Sequence, residues 1–313
     1  MPDGTLVRPF SSPFRLARDE YILTLEVENK SKNTIAIYGY AIDRLHRFVG
    51  DLAPAAIDTA VLRRFLRHLQ QEGLSTTTQK DYLRAIKTWL RWLAAEGGYG
   101  VADDAGARAK APRAVLEPIK PFTEAELKAL IDACEKDSWR GMRQRAILAL
   151  LLDTGMRASE LCGVRLRDLD RCTVDILAVN DKTRKGRTIG LGRKGRLALG
   201  RWWTRQRCRV SMDQSPDSPL FPGADGEPMT PNSLLKLVSR LGDRAGVAGV
   251  HPHRFRHTFA ILSLRAGMNP YTLMHTLGHT DLTMVKRYMA IVDSDVSADK
   301  AARSPLDRLK LTF

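Results

Sequence analysis

Four cysteines in 313 residues, Cys134, Cys162, Cys172 and Cys208, are too sparse for a disulfide scaffold and lack the paired spacing of a zinc site. They read as reduced thiols used for packing. Long apolar runs are also missing: the longest, Ala146 to Leu152, falls far short of the roughly 20 residues that cross a bilayer. Met1-Pro2-Asp3-Gly4 does not open a secretory signal, so a soluble, intracellular protein with no membrane partner is expected. There is no internal repeat. Acidic residues are in deficit, with 35 Asp and Glu against 50 Lys and Arg, a formal charge of +15. That excess favours a polyanionic partner bound in a salt-sensitive way, although charge alone does not separate DNA from RNA or an acidic membrane.

What is present is mostly helical periodicity. A hydrophobic content of 43% is enough for packed cores, and the length suits two domains. The Pro, Gly and Ser content of residues 1–13 reads as a flexible arm. From 14 to 97, apolar residues recur at three and four, as in Ile35-Tyr38-Ile42-Leu45-Phe48 and Tyr82-Ile86-Trp89-Leu93, which predicts a small helical bundle. Ser31 and Ser75 are candidate N-caps, and Gly50, Gly73 and Gly97 stand where helices should stop. Lys32, Arg84 and Lys87 lie on polar faces, where they could meet phosphates or simply be solvated. Residues 98–120 break the pattern with glycine, proline and scattered cations and read as a linker. A second domain opens at Thr123, whose glutamate three residues on makes a capping box, and runs over 121–292. Its segment from Val174 to Val179, a polar turn to Arg187, and Thr188 to Leu191 predict a β-hairpin carrying Lys182 and Lys185 on its loop. The fold class is therefore mainly α with two domains, the second α+β with a small antiparallel sheet. Residues 293–313 form an apolar-bearing tail.

The chemistry concentrates in the second domain. Opening a phosphodiester with a side-chain nucleophile needs an attacking oxygen, cations around the non-bridging oxygens, a proton acceptor and a donor for the leaving oxygen. Arginine suits the phosphate because its planar fork makes paired bonds and keeps its proton, and Arg157 and Arg256 fit that task. Tyr288 follows His253, Arg256 and His279, an order that suits metal-free attack on DNA. No cofactor and no metal are expected: His275 and His279 have helical ligand spacing, but no cysteine or carboxylate pair completes a site. Taken singly, Arg157 with Glu160 is an ordinary helix pair, Tyr288 an ordinary core tyrosine, His257 a packing or hydrogen-bonding residue, and Trp202-Trp203 core and interface.

Three segments change that balance together. Thr154-Gly155-Met156-Arg157-Ala158-Ser159-Glu160-Leu161, His253-Arg254-Phe255-Arg256-His257-Thr258-Phe259-Ala260, and Leu277-Gly278-His279 followed by Tyr288 resemble the signature boxes of the tyrosine recombinase, or phage integrase, family, with a Xer-like site-specific recombinase as the nearest type. The helical N-terminal half resembles that family's core-binding domain. The resemblance implies that Tyr288 attacks the scissile phosphate to give a 3′-phosphotyrosine and a free 5′-hydroxyl, that Arg157 and Arg256 stabilise the transition state, that His253 is the base toward the tyrosine, that His279 bonds a phosphate oxygen, and that Glu160 buttresses the set. It also implies a hairpin lysine as the leaving-group acid, Lys182 by register, although Asp181 and Thr183 replace the usual glycines and Lys185 stays an alternative. By the same resemblance the two domains clamp a double-stranded recombination site, a homotetramer joins two duplexes through a Holliday junction, and the tail docks on a neighbouring subunit. A cytoplasmic, nucleoid-associated place and an accessory directionality factor complete the expectation. Topoisomerase IB-like relaxation and a non-catalytic architectural DNA-binding protein are the alternatives.

Overall fold

The computed structural model describes residues 12–113, 119–136, 138–170, 173–176, 186–207, 215–223 and 226–296. The chain divides into two compact units, residues 1–117 and 118–313. In the first, α1 (Pro13–Val27), α2 (Lys32–Val49), α3 (Thr59–Gln71) and α4 (Thr76–Glu96) start where the local chemistry says they should. The side chains of Ser12, Ser31, Asp58 and Ser75 each accept from the backbone N–H three residues on, satisfying donors that a helix start leaves unpaired. The periodic apolar residues then share one core: Phe14, Tyr21, Ile42, Leu45, Leu62, Phe65, Ile86, Trp89 and Leu93 are all 3% exposed or less. Trp89 sits at its centre and donates its indole N–H to the Ala17 carbonyl at 3.4 Å. Truncating it to alanine would cost about 3–5 kcal/mol.

The stretch read from sequence as linker behaves differently. Tyr99, Val101, Ala105, Ala109 and Ala111 lie against the first unit's core, and the Lys87 ammonium donates to the Ala107 carbonyl at 2.8 Å. The physical reason is size. Alanines and Gly106, which at φ +70 stands against Leu62 and Leu90, leave a backbone slim enough to lie directly on the helices. The composition that marked a linker also made it dockable.

The second unit contains α5 (Glu124–Asp132), α6 (Trp139–Thr154), α7 (Ala158–Gly163), β1 (Thr173–Ile176), β2 (Arg187–Gly190), α8 (Arg193–Arg207), α9 (Pro231–Ala245), α10 (Pro252–Arg265), α11 (Pro270–Leu277) and α12 (Thr283–Val296). Thr123 and Glu126 close the predicted capping box. Ile147, Leu148, Leu150 and Leu151 on α6 are at most 1% exposed, so this helix is buried on several sides, with α8 and α10 packed against it. Trp202 is fully buried and gives its N–H to the Leu220 carbonyl at 3.0 Å. β1 and β2 form an antiparallel pair with Thr173 opposite Gly190 and Ile176 opposite Arg187. Residues 177–179 of the predicted first strand lie outside the described residues, as do Lys182 and Lys185, residues 1–11 of the arm and residues 297–313 of the tail. A separate cluster of Phe259, Leu273, Leu277, Val285 and Tyr288 joins α10, α11 and α12.

Candidate active site

Two turns and one strand residue build the site. α6 ends at Gly155 in the left-handed region, φ +60, where a methyl group would collide with Phe259 and Leu277. Glycine lets the chain reverse there and puts Arg157 at the N-cap of α7. Glu160, three residues on, accepts from the Arg157 backbone N–H at 2.6 Å and from its Nη1 at 3.0 Å. Arg187, at the start of β2, closes the other side: Nη1 and Nη2 donate to the two Glu160 oxygens at 3.0 and 2.9 Å, while Nε donates to the Thr276 carbonyl at 2.7 Å. Arg157 Nη2 reaches the Gly278 carbonyl at 3.3 Å. Gly278 caps α11 at φ +64, and a Cβ there would come within 2.7 Å of Arg187 Nη1. Burial works to raise the Glu160 pKa, but the Arg187 hydrogen bonds, the Arg157 backbone donor and both guanidinium charges outweigh it and hold it below the usual carboxylate range.

Arg256 comes from α10. It is only 2% exposed, and its Nη1 donates to the Gly155 carbonyl and its Nη2 to the Leu277 carbonyl, both at 2.7 Å. Nη2 also lies 2.8 Å from His279 Nε2. Arginine has no lone pair to offer, so His279 Nε2 accepts and the ring proton sits on Nδ1, a buried atom with no partner among the described residues. Burial, with Arg256 and Arg157 beside it, lowers the His279 pKa to about 4. Burial and Arg157 lower Arg256 to about 10, still charged at neutral pH. Two guanidinium groups thus hold one carboxylate while Arg256 stands close by on backbone carbonyls, and the surplus positive charge faces outward through Arg157, whose side chain is 42% exposed. Within the same box, Arg254 and Phe255 serve packing: Arg254 lies 4.0 Å over the Phe122 ring and pairs with Glu126 at 2.7 Å.

The structure brings Arg157, Glu160, Arg256 and His279 together. Tyr288 is nearby but turned elsewhere. It is 1% exposed, and its hydroxyl lies 2.9 Å from Nδ1 of His257, not of His253. The two histidines are four residues apart on one face of α10. His257 is a turn deeper, toward α12, while His253 is exposed and meets the His257 ring edge-on at 5.1 Å. Arg187 and His257 were missed as functional residues by sequence reasoning. No local signal in the sequence points to Arg187, which meets Glu160 across 27 positions, and the one signal for His257 is its place beside Arg256. Among the described residues no three His, Cys, Asp or Glu side chains are grouped to hold a metal ion, and no helix is long and apolar enough to cross a membrane.

A second cationic surface lies wholly in the first unit. Lys80, Arg84, Lys87, Arg91, Lys110 and Arg113 line a groove between α4 and the docked 103–113 segment, with alanines in its lining. Of the three residues singled out for DNA, Arg84 and Lys87 are here. Lys32, exposed at the start of α2, does not line the groove.

A cluster of three arginines and one carboxylate beside a buried tyrosine suits an enzyme that acts on a phosphodiester, and comparison with known proteins agrees. Residues 120–294 match the phage integrase family and residues 18–96 its N-terminal SAM-like domain. The tyrosine recombinase XerC of Xylella fastidiosa (strain M23) is 30% identical over 278 residues, covering 88% of this chain and 91% of its own. Among solved structures, the Tn1549 transposon integrase in complex with transposon right end DNA has a TM-score of 0.74 at 21% identity, covering 89% of this chain and 94% of its own. The lambda integrase tetramer bound to a Holliday junction has 0.69 at 18%, covering 88% and 76%. This chain belongs to the phage integrase family. It is a Xer-like tyrosine recombinase, which cuts DNA at specific sites and rejoins it.

Proposed function

We propose that Tyr288 is the nucleophile and that the Arg157, Arg187 and Arg256 cluster is where the scissile phosphate sits. The observation that carries this reading is a carboxylate, Glu160, held by two guanidinium groups, with a third, Arg256, fixed close by on the Gly155 and Leu277 carbonyls, which leaves positive charge for an anion. Arg157 and Arg256 neutralise the charge that grows on the non-bridging oxygens. Once DNA displaces its contact with Arg256 and the ring proton moves to Nε2, His279 donates to a phosphate oxygen, and His253 acts as the outer proton acceptor. In the chemical step the Tyr288 oxygen bonds to phosphorus, the bond from phosphorus to the 5′-oxygen breaks, and Lys182 supplies the proton that leaves with that oxygen. The phosphotyrosine ester conserves the bond energy, so a 5′-hydroxyl from a partner strand reverses the attack. Glu160 and Arg187 act through Arg157 as positioning residues.

On this reading the two units grip one duplex site, the groove of Arg84 and Lys87 lies on backbone phosphates, and four copies join two duplexes, with residues 293–313 docking on a neighbouring subunit. The protein works at the nucleoid, and an accessory factor sets direction. The test is Tyr288→Phe on a nicked suicide substrate. Site binding persists and covalent capture vanishes, while EDTA leaves the wild type unaffected. Capture by the phenylalanine protein would overturn the nucleophile, and a metal requirement would overturn the mechanism.

A further inference from the structure

α10 presents two neighbouring residues to two different tasks. Arg256 sends its donors to Gly155, Leu277 and His279. His257 turns to α12 and meets the Tyr288 hydroxyl at 2.9 Å. That hydroxyl makes no described hydrogen bond to any guanidinium, and its ring is packed with Phe259, Leu273, Leu277 and Val285. At 1% exposure it is not placed where a DNA phosphate could meet it.

We infer that His257 is a positioning residue for the nucleophile: it holds the Tyr288 phenol protonated and withdrawn among apolar side chains, so that attack requires this hydrogen bond to be exchanged. The inference rests on Tyr288 being the attacking group, as proposed above.

The direction of the bond follows from the surroundings. Burial, only partly opposed by Arg256 and Arg287, raises the phenol above its ordinary value. Burial, with His253 and His251 beside it, lowers His257 to about 4. At neutral pH the phenol therefore donates and neutral Nδ1 accepts, with the ring proton on Nε2. An imidazole that protonates only near pH 4 is a poor sink for the proton of a phenol whose unperturbed pKa is about 10. The contact stabilises the neutral phenol and does not activate it. The His253 ring, edge-on at 5.1 Å, braces His257 from its solvent side. The withdrawn pose is thus set by one hydrogen bond plus the packing of one ring, a balance that binding of a site could tip.

The experiment uses the full chain with His257→Phe, which keeps a flat ring and loses the acceptor, and His257→Asn, whose amide oxygen replaces Nδ1. Should the phenyl ring disturb folding, as judged by binding to the site, His257→Ala removes the same acceptor with a smaller side chain. Without DNA, nitration of Tyr288 by tetranitromethane, read by peptide mass spectrometry, is expected to speed up roughly three- to tenfold in His257→Phe, the range given by loss of one net hydrogen bond, and to return to the wild-type rate in His257→Asn. Covalent capture on the suicide substrate should accelerate by a similar factor in His257→Phe. Unchanged nitration in His257→Phe would overturn the inference. So would a fall in capture restored by added imidazole, because His257 would then be the proton acceptor. If Tyr288→Phe still formed the ester, the nucleophile assignment would fail, while the nitration rates would continue to report on the withdrawn pose.

Discussion

The phosphate pocket and the tyrosine beside it are built by opposite physics. Around Glu160 the charges are fixed in advance: a carboxylate 6% exposed is held by two arginines from different elements, and Arg256 is bound to two carbonyls as well as His279. Positive charge is in place before an anion arrives, the condition under which electrostatic stabilisation of a transition state is strong, and only the contact between Arg256 and His279 has to give way. Tyr288, in contrast, sits in an apolar cluster with a neutral histidine on its oxygen. The difference teaches that the charged half of the site is assembled before DNA binds, whereas on the proposed reading the attacking half is supplied on demand. An always-poised nucleophile would endanger any DNA the cationic surfaces touched.

Perturbing the two halves separately should break this contrast in graded ways. The largest effect is expected from Arg256→Lys, which keeps a charge but loses the fork. Single-turnover capture should fall by about 10²–10³ while Tyr288 nitration in the free protein stays unchanged. Glu160→Ala comes next. It leaves Arg187 and Arg157 facing each other without their carboxylate, and loss of one partner from a buried pair costs about 3 kcal/mol or more, to be read as a lower urea midpoint for the second unit. A smaller effect concerns pH. His257 and His279 titrate near 4 in the folded chain and near 6.5 when unfolded, so the unfolded state takes up protons first and stability falls as pH drops from about 6.5 toward 4. Glu160, held below its ordinary range, runs in the same sense: its contribution is present above the unfolded carboxylate pKa and is lost as pH falls through the folded one. Urea midpoints at pH 7 and pH 5 should show the decline, and flat midpoints would contradict the neutral histidines. The smallest effect is expected from Arg84→Ala, a 72% exposed side chain in the first-unit groove. Site affinity should weaken modestly, with the salt slope reduced by about 1, and capture per bound complex should not change. A change in capture there would mean that the groove acts on the chemistry.

Much of this was legible because it is local. Ser31, Ser75 and the Thr123 capping box mark helix starts through bonds spanning three residues, and Gly155 marks a turn only glycine takes easily. The hidden parts are long-range or depend on depth. Arg187 meets Glu160 across 27 positions and Thr276 across 89, pairings no periodicity announces. His253 and His257 share one helix face, and which of them reaches Tyr288 depends on which turn of α10 faces α12, a tertiary fact. The docked 99–111 segment was obscured because glycine, proline and alanine read alike in a free linker and in a strip pressed onto helices. The hairpin lysines rest on register alone, since residues 177–185 fall outside the described residues.

The central claim is that the charged pocket serves a tyrosine that must come to it, and the residue joined to DNA reports this most directly. Wild-type protein trapped on a nicked suicide substrate, in buffer containing EDTA, can be digested with protease and nuclease and the nucleotide-bearing peptide sequenced by mass spectrometry. The account predicts a single adduct, a 3′-phosphoryl nucleotide on the Tyr288 oxygen. An adduct on any other side chain, or one formed only when a divalent metal is supplied, would contradict it.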